Sequence, residues 1–397
     1  MRNQFQNPVD SGKELSSSSG MNKRVLQYYD DIQRIKNSLN SYYLLKEFDI
    51  PYPKMAYIYP TYQCSLSCKN CMYKDHLTEY TKNESLDMDI SLFRNILQDL
   101  SSLGVMNVEF CGGGEPLEHS SIDKLIELAS EFRRNKRMDF GLLTNGQNIS
   151  GLDESTVEII LESFAYIRLS YSERASADKK LREEYLCNLA KLIGYKNENN
   201  KLKATIGSKL LLTSKNKDQL LKTVFELLKL GVEHLKVKSI RSRDDEPSPE
   251  DLIQVEEELG SFKSEKTVKN VLKVDLGRTV FLHGFKCWIN PLSVTIDPYG
   301  GIYICFNFHN DPENMMIGKY NENNSLSDFW GKSKHIEKIL NINTKKVCKA
   351  DNSCNCRYAD YQKMMEEIFW KGLSTKYGEV NNESKSAIES KRIQKFL

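Results

Sequence analysis

Apolar residues are spaced along this chain in two alternating patterns. Short runs rich in β-branched and aromatic residues predict six strands, at residues 55–59, 105–111, 140–144, 166–170, 202–212 and 234–240. Between them, apolar residues recur at helical spacing, which predicts helices at 88–103, 120–133, 155–163, 177–194 and 218–230. Alternating strands and helices are typical of a parallel sheet covered by crossover helices. The pattern therefore predicts an α/β fold, a partial (β/α)6 barrel that is TIM-like but lacks two of the eight units.

The chain after residue 240 loses this alternation. Residues 241–250 are charged and contain two prolines, which indicates a loop or linker. Apolar runs at 292–296 and 302–306 flank a turn-forming segment, Asp297-Pro298-Tyr299-Gly300-Gly301, and predict a β-hairpin. Helices are expected at 23–46, 326–340 and 358–370. We therefore divide the chain into a polar segment with one helix (1–50), the barrel (51–245), a linker with a helical segment (246–280), a small hairpin and helix domain (281–372) and a polar tail (373–397).

The overall charge of the chain is close to balanced. Lysine and arginine number 56 and the acidic residues 54, so neither nucleic acid nor a membrane surface is an expected partner. No apolar stretch approaches the roughly 18 residues of a membrane span, and residues 1–20 lack the apolar core of a signal peptide. We expect a cytoplasmic protein. In a reducing compartment, clustered cysteines indicate metal binding or catalysis rather than disulfides.

The cysteines form two clusters in the sequence. Cys64, Cys68 and Cys71 lie in one loop directly after the first predicted strand, and five others lie between residues 287 and 356. Three thiolates can ligate three irons of a [4Fe–4S] cubane and leave the fourth iron open for another ligand. The alternatives are a structural zinc site completed by His76, or no metal at all.

A glycine-rich turn follows the second predicted strand, in the segment Phe110-Cys111-Gly112-Gly113-Gly114-Glu115-Pro116. Glycines let a backbone approach a ligand without a Cβ in the way. Glu115 adds a carboxylate that can receive an ammonium group. Such a turn by itself is more often only a turn, but its place one strand–helix unit after the cysteine loop makes the pair informative.

The two motifs together resemble those of the radical S-adenosylmethionine superfamily. The resemblance implies that the open iron chelates S-adenosylmethionine, that one electron cleaves it to a 5′-deoxyadenosyl radical, and that this radical removes a substrate hydrogen. It also implies that Gly113, Gly114 and Glu115 bind the methionyl amino group. One departure is Asn70, where the family often has an aromatic residue. Tyr73 instead can pack near the adenine.

Polar residues at later strand ends are weaker candidates for cofactor binding. In the family, residues at the positions of Asn145 and Ser170 contact the ribose or the carboxylate. A turn asparagine and a strand-end hydroxyl are equally good interpretations. Charged residues in similar places are more often solvated; they are Lys209, Lys238 and Arg241.

The C-terminal cysteines resemble the twitch or SPASM extensions of this superfamily, which hold auxiliary clusters. Cys287 and Cys305 flank the predicted hairpin, and three more cysteines follow a predicted helix. Five cysteines fit a single, fully ligated second [4Fe–4S] cluster. We expect Cys287, Cys305 and Cys356 as ligands, with Cys354 or Cys348 as the fourth. A structural zinc ribbon is the alternative.

The two isolated cysteines, Cys111 and Cys187, are expected to pack in the core, with hydrogen-atom donation as the less favoured role. The resemblance implies an oxidoreductase-type enzyme that modifies a ribosomal peptide, or a sugar or cyclitol, by oxidation, cross-linking, epimerisation or rearrangement. It also implies a reductase or flavodoxin-type electron donor. The residues before the first strand are too few for a leader-peptide-binding winged helix, which weakens the peptide alternative. A non-catalytic iron–sulfur or zinc-stapled adaptor is the competing class.

Overall fold

The structure of the protein is a computed structural model. The structure describes residues 50–71, 73, 85–136, 138–171, 173–199, 201–240, 245–263, 268, 271–276, 279–280, 287, 290–342, 346–347 and 353–354. The predicted helices at 23–46 and 358–370 and the tail after residue 372 lie outside these residues.

Ten strands of the described chain form one sheet. In chain order they are β1 (Met55–Ile58), β2 (Asn107–Phe110), β3 (Asp139–Thr144), β4 (Tyr166–Tyr171), β5 (Thr205–Leu212), β6 (His234–Ser239), β7 (Leu272–Asp275), β9 (Ser293–Ile296), β10 (Gly301–Tyr303) and β11 (Met316–Lys319). The order across the sheet is β11-β10-β9-β1-β2-β3-β4-β5-β6-β7. Strands β1 to β7 are parallel to their neighbours, and β9 is parallel to β1. A separate pair joins β8 (Thr279–Val280) to β12 (Ser353–Cys354).

Helices connect the parallel strands. They are α1 (Ile90–Ser102), α2 (Ile122–Lys136), α3 (Glu154–Ser163), α4 (Glu173–Ala177), α5 (Lys179–Glu198), α6 (Lys217–Leu230) and α7 (Pro249–Lys263), followed by the short α8 (Pro312–Met315) and α9 (Ser333–Leu340). The side chains of α1 to α6 pack on one face of the sheet, where residues such as Ile58, Phe110 and Leu142 are buried. This arrangement confirms the α/β class and the partial (β/α)6 barrel with its C-terminal hairpin.

The six predicted barrel strands are all present, with ends shifted by at most three residues. The helix predicted at 177–194 is present as α5, which starts two residues later and ends four residues later. The Asp178 carboxylate accepts hydrogen bonds from the backbone N–H groups of Lys180 and Leu181 and so begins α5 as a separate helix.

A helical segment was expected within 246–280 without defined ends, and α7 lies there, whereas strand β7 was not predicted. The signal for α7 was present, since Ser248 and Asp251 cap its start reciprocally and Pro249 occupies the first turn. Strand β7 pairs with β6 and makes a seventh parallel strand. Its sequence, Leu-Lys-Val-Asp, has only two apolar residues between charged ones, which gives a weak strand signal.

The predicted hairpin is confirmed as β9 and β10. Its turn is held by the Asp297 carboxylate, which accepts from the N–H groups of Tyr299 (2.9 Å) and Gly301 (2.7 Å). Gly300 adopts a φ of 81°, a conformation that glycine takes without strain. The hairpin joins the barrel sheet through β9 and β1, so the C-terminal segment lies directly beside the first barrel strand.

The helix predicted at 326–340 is divided into a short 3₁₀ segment (Leu326–Asp328) and α9. Gly331, with a φ of 74°, lies between them and breaks the helical path. None of the described helices is both long enough and apolar enough to span a membrane.

Candidate active site

The cysteine loop and the glycine-rich turn are joined backbone to backbone. They follow β1 and β2, which are adjacent and parallel, so both leave the same edge of the sheet. The N–H of Gly114 donates to the carbonyl oxygen of Thr61 (2.8 Å), and the N–H of Glu115 donates to that of Gln63 (2.7 Å). The two motifs are therefore adjacent in the structure.

Gly114 is required at this junction by geometry. A Cβ on this residue would lie 2.0 Å from the carbonyl oxygen of Gln63, which is backbone and cannot move aside as a flexible side chain could. Gly113 adopts a φ of 88°, and its Cβ would lie about 3 Å from the rings of Tyr59 and Tyr62. The glycines thus allow the turn to fit against the start of the cysteine loop.

The three cysteines of the loop are half-buried. The N–H of Cys71 donates to the carbonyl oxygen of Cys68 (3.3 Å), and the Cys64 thiol donates to the carbonyl oxygen of Leu66 (3.6 Å). Burial raises the pKa of the Cys64 thiol to about 12. Metal coordination replaces the thiol proton, so bound iron would hold this group as the thiolate.

Three sulfur donors in a partly enclosed loop suit iron, because thiolates are the usual ligands of iron–sulfur clusters. Within the described part of the chain, no three Cys, His, Asp or Glu side chains are placed to hold a single metal ion. A cubane does not require such convergence, because each of its thiolates binds a different iron. His76, the fourth ligand of the zinc alternative, lies outside the described residues.

Glu115 connects the ends of β2 and β3. One carboxylate oxygen accepts from Thr144 Oγ1 (2.6 Å) and from the N–H of Leu117 (3.2 Å), and the other accepts from the N–H of Asn145 (2.6 Å). The residue is only 3% exposed. Burial outweighs these hydrogen bonds and raises the pKa of Glu115 to about 7. A cation placed beside the carboxylate would lower this pKa again.

Asn145 lies directly after β3, at the same edge of the sheet as Glu115. Its side-chain oxygen accepts from the N–H of Gln147 (2.8 Å), while its side-chain nitrogen is buried and has no hydrogen-bond partner among the described residues. A buried amide donor without a partner is unfavourable in the free protein. A bound polar ligand would satisfy it, so the residues present fit a cofactor at this edge. Ser170, near the end of β4, lies beside Lys209 of β5 in the strand register.

Tyr73 lies over the glycine-rich turn. Its ring occupies the space that a Cβ on Gly112 would enter, and its hydroxyl lies 3.1 Å from that of Tyr59. The ring also contacts His309 edge to face, with centroids 5.0 Å apart. The Tyr59 hydroxyl donates to the carbonyl oxygen of Phe306 (2.9 Å). These contacts join the segment after Cys305 to the cysteine loop, and Tyr59 and His309 are site residues that sequence reasoning missed.

The other cysteines are distributed as follows. Cys111 is buried at the end of β2, as expected, but Cys187 is exposed on α5, so the expectation that it packs in the core is wrong. Cys305 follows β10, and its sulfur accepts from the N–H of Asn307 (3.3 Å). The Cys287 thiol donates to Asn290 Oδ1 (3.1 Å). Cys354 belongs to the short strand β12, and Cys348 and Cys356 lie outside the described residues.

The face of the sheet opposite the helices carries charged residues. The strand register aligns Ser170 with Lys209, Lys209 with Lys236, Lys236 with Lys273 and Lys238 with Asp275. Alternation along β4 adds Arg168 to the same face. On β4 to β7 this face therefore has five cationic side chains and one carboxylate within the described residues. Asp275 is 3.5 Å from both Lys236 and Lys238.

Glu109 of β2 and Tyr166 of β4 meet on this face. The Tyr166 hydroxyl donates to the Glu109 carboxylate across β3, where Gly141 has no side chain to block it. Glu109 is completely buried. A charged and aromatic inner face is unlike the branched apolar packing that fills a closed TIM barrel, which makes it a candidate for binding polar ligands.

Replacing Gly114 by alanine should destabilise the protein by about 1–3 kcal/mol, since the new Cβ forces backbone displacement. Urea unfolding measures this loss. The matched control is Gly151→Ala, because a Cβ at Gly151 meets nothing within 4 Å. Equal stability of the two variants would contradict the close junction between the loops.

Comparison with known proteins adds a matched domain and a fold. The family profile described as "4Fe-4S single cluster domain" matches residues 56–188, the part that contains both motifs.

Two curated proteins are similar to parts of this chain. The tungsten-containing aldehyde ferredoxin oxidoreductase cofactor-modifying protein of Pyrococcus furiosus is 26% identical over 194 residues, 47% of this chain and 51% of that protein. The PqqA peptide cyclase of Gluconobacter oxydans is 25% identical over 127 residues, 32% of this chain and 34% of that protein. The chain thus spans about half or less of each curated relative.

Solved structures share the fold. Streptococcus suis SuiB bound to S-adenosylmethionine superposes with a TM-score of 0.55 at 18% identity, covering 84% of this chain and 78% of that chain. Native anSMEcpe with bound AdoMet gives a TM-score of 0.53 at 16% identity, covering 80% and 97%. At such identities the likeness concerns the fold. The matched iron–sulfur domain, the paired cysteine and glycine motifs, and the fold shared with two structures that hold S-adenosylmethionine together support the resemblance of this chain to the radical S-adenosylmethionine superfamily.

Proposed function

We propose that this protein is a radical S-adenosylmethionine enzyme that removes a hydrogen atom from a peptide substrate. The observation that carries the proposal is the backbone junction between the cysteine loop and the glycine-rich turn. In this proposal Cys64, Cys68 and Cys71 hold the cluster, and Gly113, Gly114 and Glu115 hold the methionyl end of the cofactor. When bound, the cluster and S-adenosylmethionine together supply the 5′-deoxyadenosyl radical.

The protein's own residues bind and orient the cofactor. The Glu115 carboxylate lies beside the junction and receives the cofactor's amino group. The buried side-chain nitrogen of Asn145 donates to a cofactor oxygen, which removes its unsatisfied state. Tyr73, held against Tyr59 and His309, covers the glycine-rich turn and limits water access to the bound adenine. Ser170 lies further along the rim and contacts the ribose or the carboxylate.

The proteins that this chain resembles favour a peptide substrate over a sugar or cyclitol. One curated relative is the PqqA peptide cyclase, and SuiB has also been solved bound to its precursor peptide SuiA, with a TM-score of 0.55 at 17% identity. These facts concern those proteins, and they support the substrate class proposed for this one. The sugar and cyclitol class remains the second candidate because both classes use the same cofactor chemistry.

The inner face of β4 to β7 supplies a more specific expectation for the substrate. Five cationic side chains on this face favour acidic groups near the reacting atom, because charges of opposite sign attract strongly in a site with limited water. The substrate is therefore proposed to be a peptide with acidic residues next to the modified position. An external one-electron donor, of the reductase or flavodoxin type, completes the system.

The C-terminal cysteines are proposed to hold a second, fully ligated [4Fe–4S] cluster. Cys305 lies next to the segment that contacts Tyr59 and Tyr73, so this cluster would lie close to the cofactor site. A cluster with four protein ligands has no open iron and can transfer electrons without binding S-adenosylmethionine. Accepting an electron from a substrate radical would make the overall reaction an oxidation.

Replacing Cys64, Cys68 and Cys71 together by alanine should abolish formation of 5′-deoxyadenosine. The measurement is anaerobic incubation with S-adenosylmethionine and dithionite, followed by chromatography of the nucleoside. Cys187→Ala, at an exposed cysteine on α5, is the control and should retain full cleavage. Cleavage by the triple variant would overturn the ligand assignment, and no cleavage by the wild type would favour a non-catalytic iron–sulfur or zinc protein.

Binding of S-adenosylmethionine should depend on the ionisation of Glu115. Its pKa is raised to about 7, and only the carboxylate attracts an ammonium, so affinity should rise with pH through this value. We expect about tenfold weaker binding at about pH 6 than at about pH 8. Isothermal titration calorimetry measures both the affinity and the proton released.

Two variants test the origin of this pH dependence. Glu115→Gln should bind roughly tenfold more weakly at the higher pH and lose the dependence, because the charge-assisted hydrogen bond is gone. Glu127→Gln, at an exposed position on α2, should keep it. An unchanged affinity in Glu115→Gln would mean that this carboxylate only connects β2 to β3.

Reconstituted protein should contain about eight irons, falling to about four when Cys287, Cys305 and Cys356 are replaced by alanine. That variant should still cleave S-adenosylmethionine but stall in product formation. Circular dichroism must confirm that it is folded, because metal binding and folding are coupled in small cysteine-rich domains. A C-terminal region loaded with zinc and free of iron would contradict the second cluster.

The proposed substrate charge can be tested with simple probes. A penta-glutamate peptide should bind the reconstituted protein about tenfold more tightly than penta-glutamine, and Lys209→Gln with Lys236→Gln should remove most of that difference. Lys203→Gln, at an exposed residue before β5, is the control. Calorimetry at low salt provides the affinities, and equal binding of the two peptides would reject an acidic substrate.

A further inference from the structure

We propose that Asp245 is a positioning residue that fastens the cysteine loop to the opposite rim of the barrel. The inference rests on the proposed cluster ligands, since it concerns the loop that contains Cys68 and Cys71. It assigns a role to a residue that sequence reasoning placed at the barrel boundary, beside a charged linker.

Asp245 contacts three side chains that belong to two other loops. One carboxylate oxygen accepts from the Lys69 ammonium (2.9 Å) and from Asn70 Nδ2 (2.9 Å), and the other lies 3.0 Å from the Lys215 ammonium. The backbone is also engaged, because the N–H of Ser214 donates to the carbonyl oxygen of Asp245 (2.9 Å). Asp245 itself is only 4% exposed. A buried carboxylate is stable only when it is paired and hydrogen-bonded, as this one is.

These contacts connect distant parts of the sheet. Asp245 follows β6, Lys215 follows β5, and Lys69 and Asn70 belong to the loop after β1. Along a flat sheet, β1 and β6 would be about 24 Å apart, since neighbouring strands are about 4.8 Å apart. The loops after β1 and β6 nevertheless meet at 2.9 Å. Asp245 therefore links the two rims of the sheet at the end where the cysteine loop lies.

Asn70 is the most informative of the three partners. The two lysine side chains are 54% and 72% exposed, and exposed ion pairs contribute little. Asn70 is half-buried and lies between Cys68 and Cys71, so its bond to Asp245 acts directly on the spacing of two ligands. It is also where this chain departs from the aromatic residue common in the superfamily. The amide thus gives the loop a polar attachment that an aromatic side chain could not make.

The loop has a second attachment at its other end. The backbone N–H and the hydroxyl of Ser65 both donate to the Glu118 carboxylate, each at 2.7 Å. Glu118 follows the glycine-rich turn, so it fastens the loop to β2, whereas Asp245 fastens it to β6. Two attachments on opposite sides restrict the loop before iron binds, and such preorganisation lowers the entropic cost of assembling a site.

Iron release from reconstituted protein tests the role of Asp245. The rate of capture by a ferrous chelator is measured anaerobically, using the phase that disappears in the variant with Cys64, Cys68 and Cys71 replaced by alanine. Asp245→Asn should release this iron about tenfold faster, because at least one charge-assisted hydrogen bond to the loop is lost. Hydrogen exchange of residues 64–71 should rise in the same variant.

The matched control is Asp251→Asn. Asp251 pairs with Lys217 at 2.9 Å and lies six residues further along the same segment, but its described contacts do not include the cysteine loop. It should release iron at the wild-type rate even if its melting temperature falls. Equal acceleration in both variants would show that Asp245 only stabilises the fold.

A reversed pair gives the decisive comparison. Asn70→Asp combined with Asp245→Asn restores an amide–carboxylate hydrogen bond with the partners exchanged, and iron release should return to within about threefold of wild type. Asn70→Ala serves if Asp245→Asn does not fold, and it should accelerate release as Asp245→Asn does. Wild-type rates in Asp245→Asn and Asn70→Ala would overturn the inference. Absence of the cysteine-dependent iron phase from the wild type would instead overturn the proposed cluster ligands.

Discussion

The parallel pairing of β1 with β2 is the constraint on which the candidate site depends. Because adjacent parallel strands end at one edge of a sheet, the cysteine loop and the glycine-rich turn emerge side by side. Two backbone hydrogen bonds, to Thr61 and Gln63, then join them. Backbone bonds at this distance leave no room for a side chain at Gly114, so one glycine determines how closely the two loops approach.

The two faces of the sheet differ because only one of them packs against the helices and provides apolar stabilisation. Apolar side chains such as Phe110 and Leu142 pack against the helices, where burial of apolar surface supplies the main favourable free energy. That packing allows the other face to carry charges such as Lys236 and Asp275, which a filled barrel could not accommodate. Packing on the helix-covered face thus stabilises the partial barrel, and the inner face can carry polar groups that bind ligands.

The C-terminal hairpin is integrated with this site instead of being only an appendage. Strand β9 pairs with β1, so the segment after β10 is carried beside the cysteine loop. The stacked rings of Tyr303 and Phe308, with centroids 3.7 Å apart, support that segment. Its contact with the loop runs through Tyr59, which packs on Phe308 and hydrogen-bonds to Phe306. Packed aromatic side chains therefore connect the segment after Cys305 to the candidate site.

The sequence by itself determined the order of the barrel strands and the motifs at their ends. Periodicity is a local property, so β1 to β6 and the hairpin could be predicted, and the cysteine loop and the glycine-rich turn could be located at the ends of β1 and β2. It missed β7, whose Leu-Lys-Val-Asp sequence has only two apolar residues, and the capped start of α7. The prediction for Cys187 was wrong because spacing alone does not distinguish the buried side of a helix from its exposed edge.

Only the tertiary structure decided which distant residues meet. Nothing near Asp245 in the sequence indicates a contact with Asn70, 175 positions away, because the contact forms only when the loops after β1 and β6 come together in the folded chain. The same is true of His309 against Tyr73 and of Tyr166 reaching Glu109 across Gly141. Such contacts depend on strand register and on the return of the chain to β1, and these are set by the packing of the whole sheet.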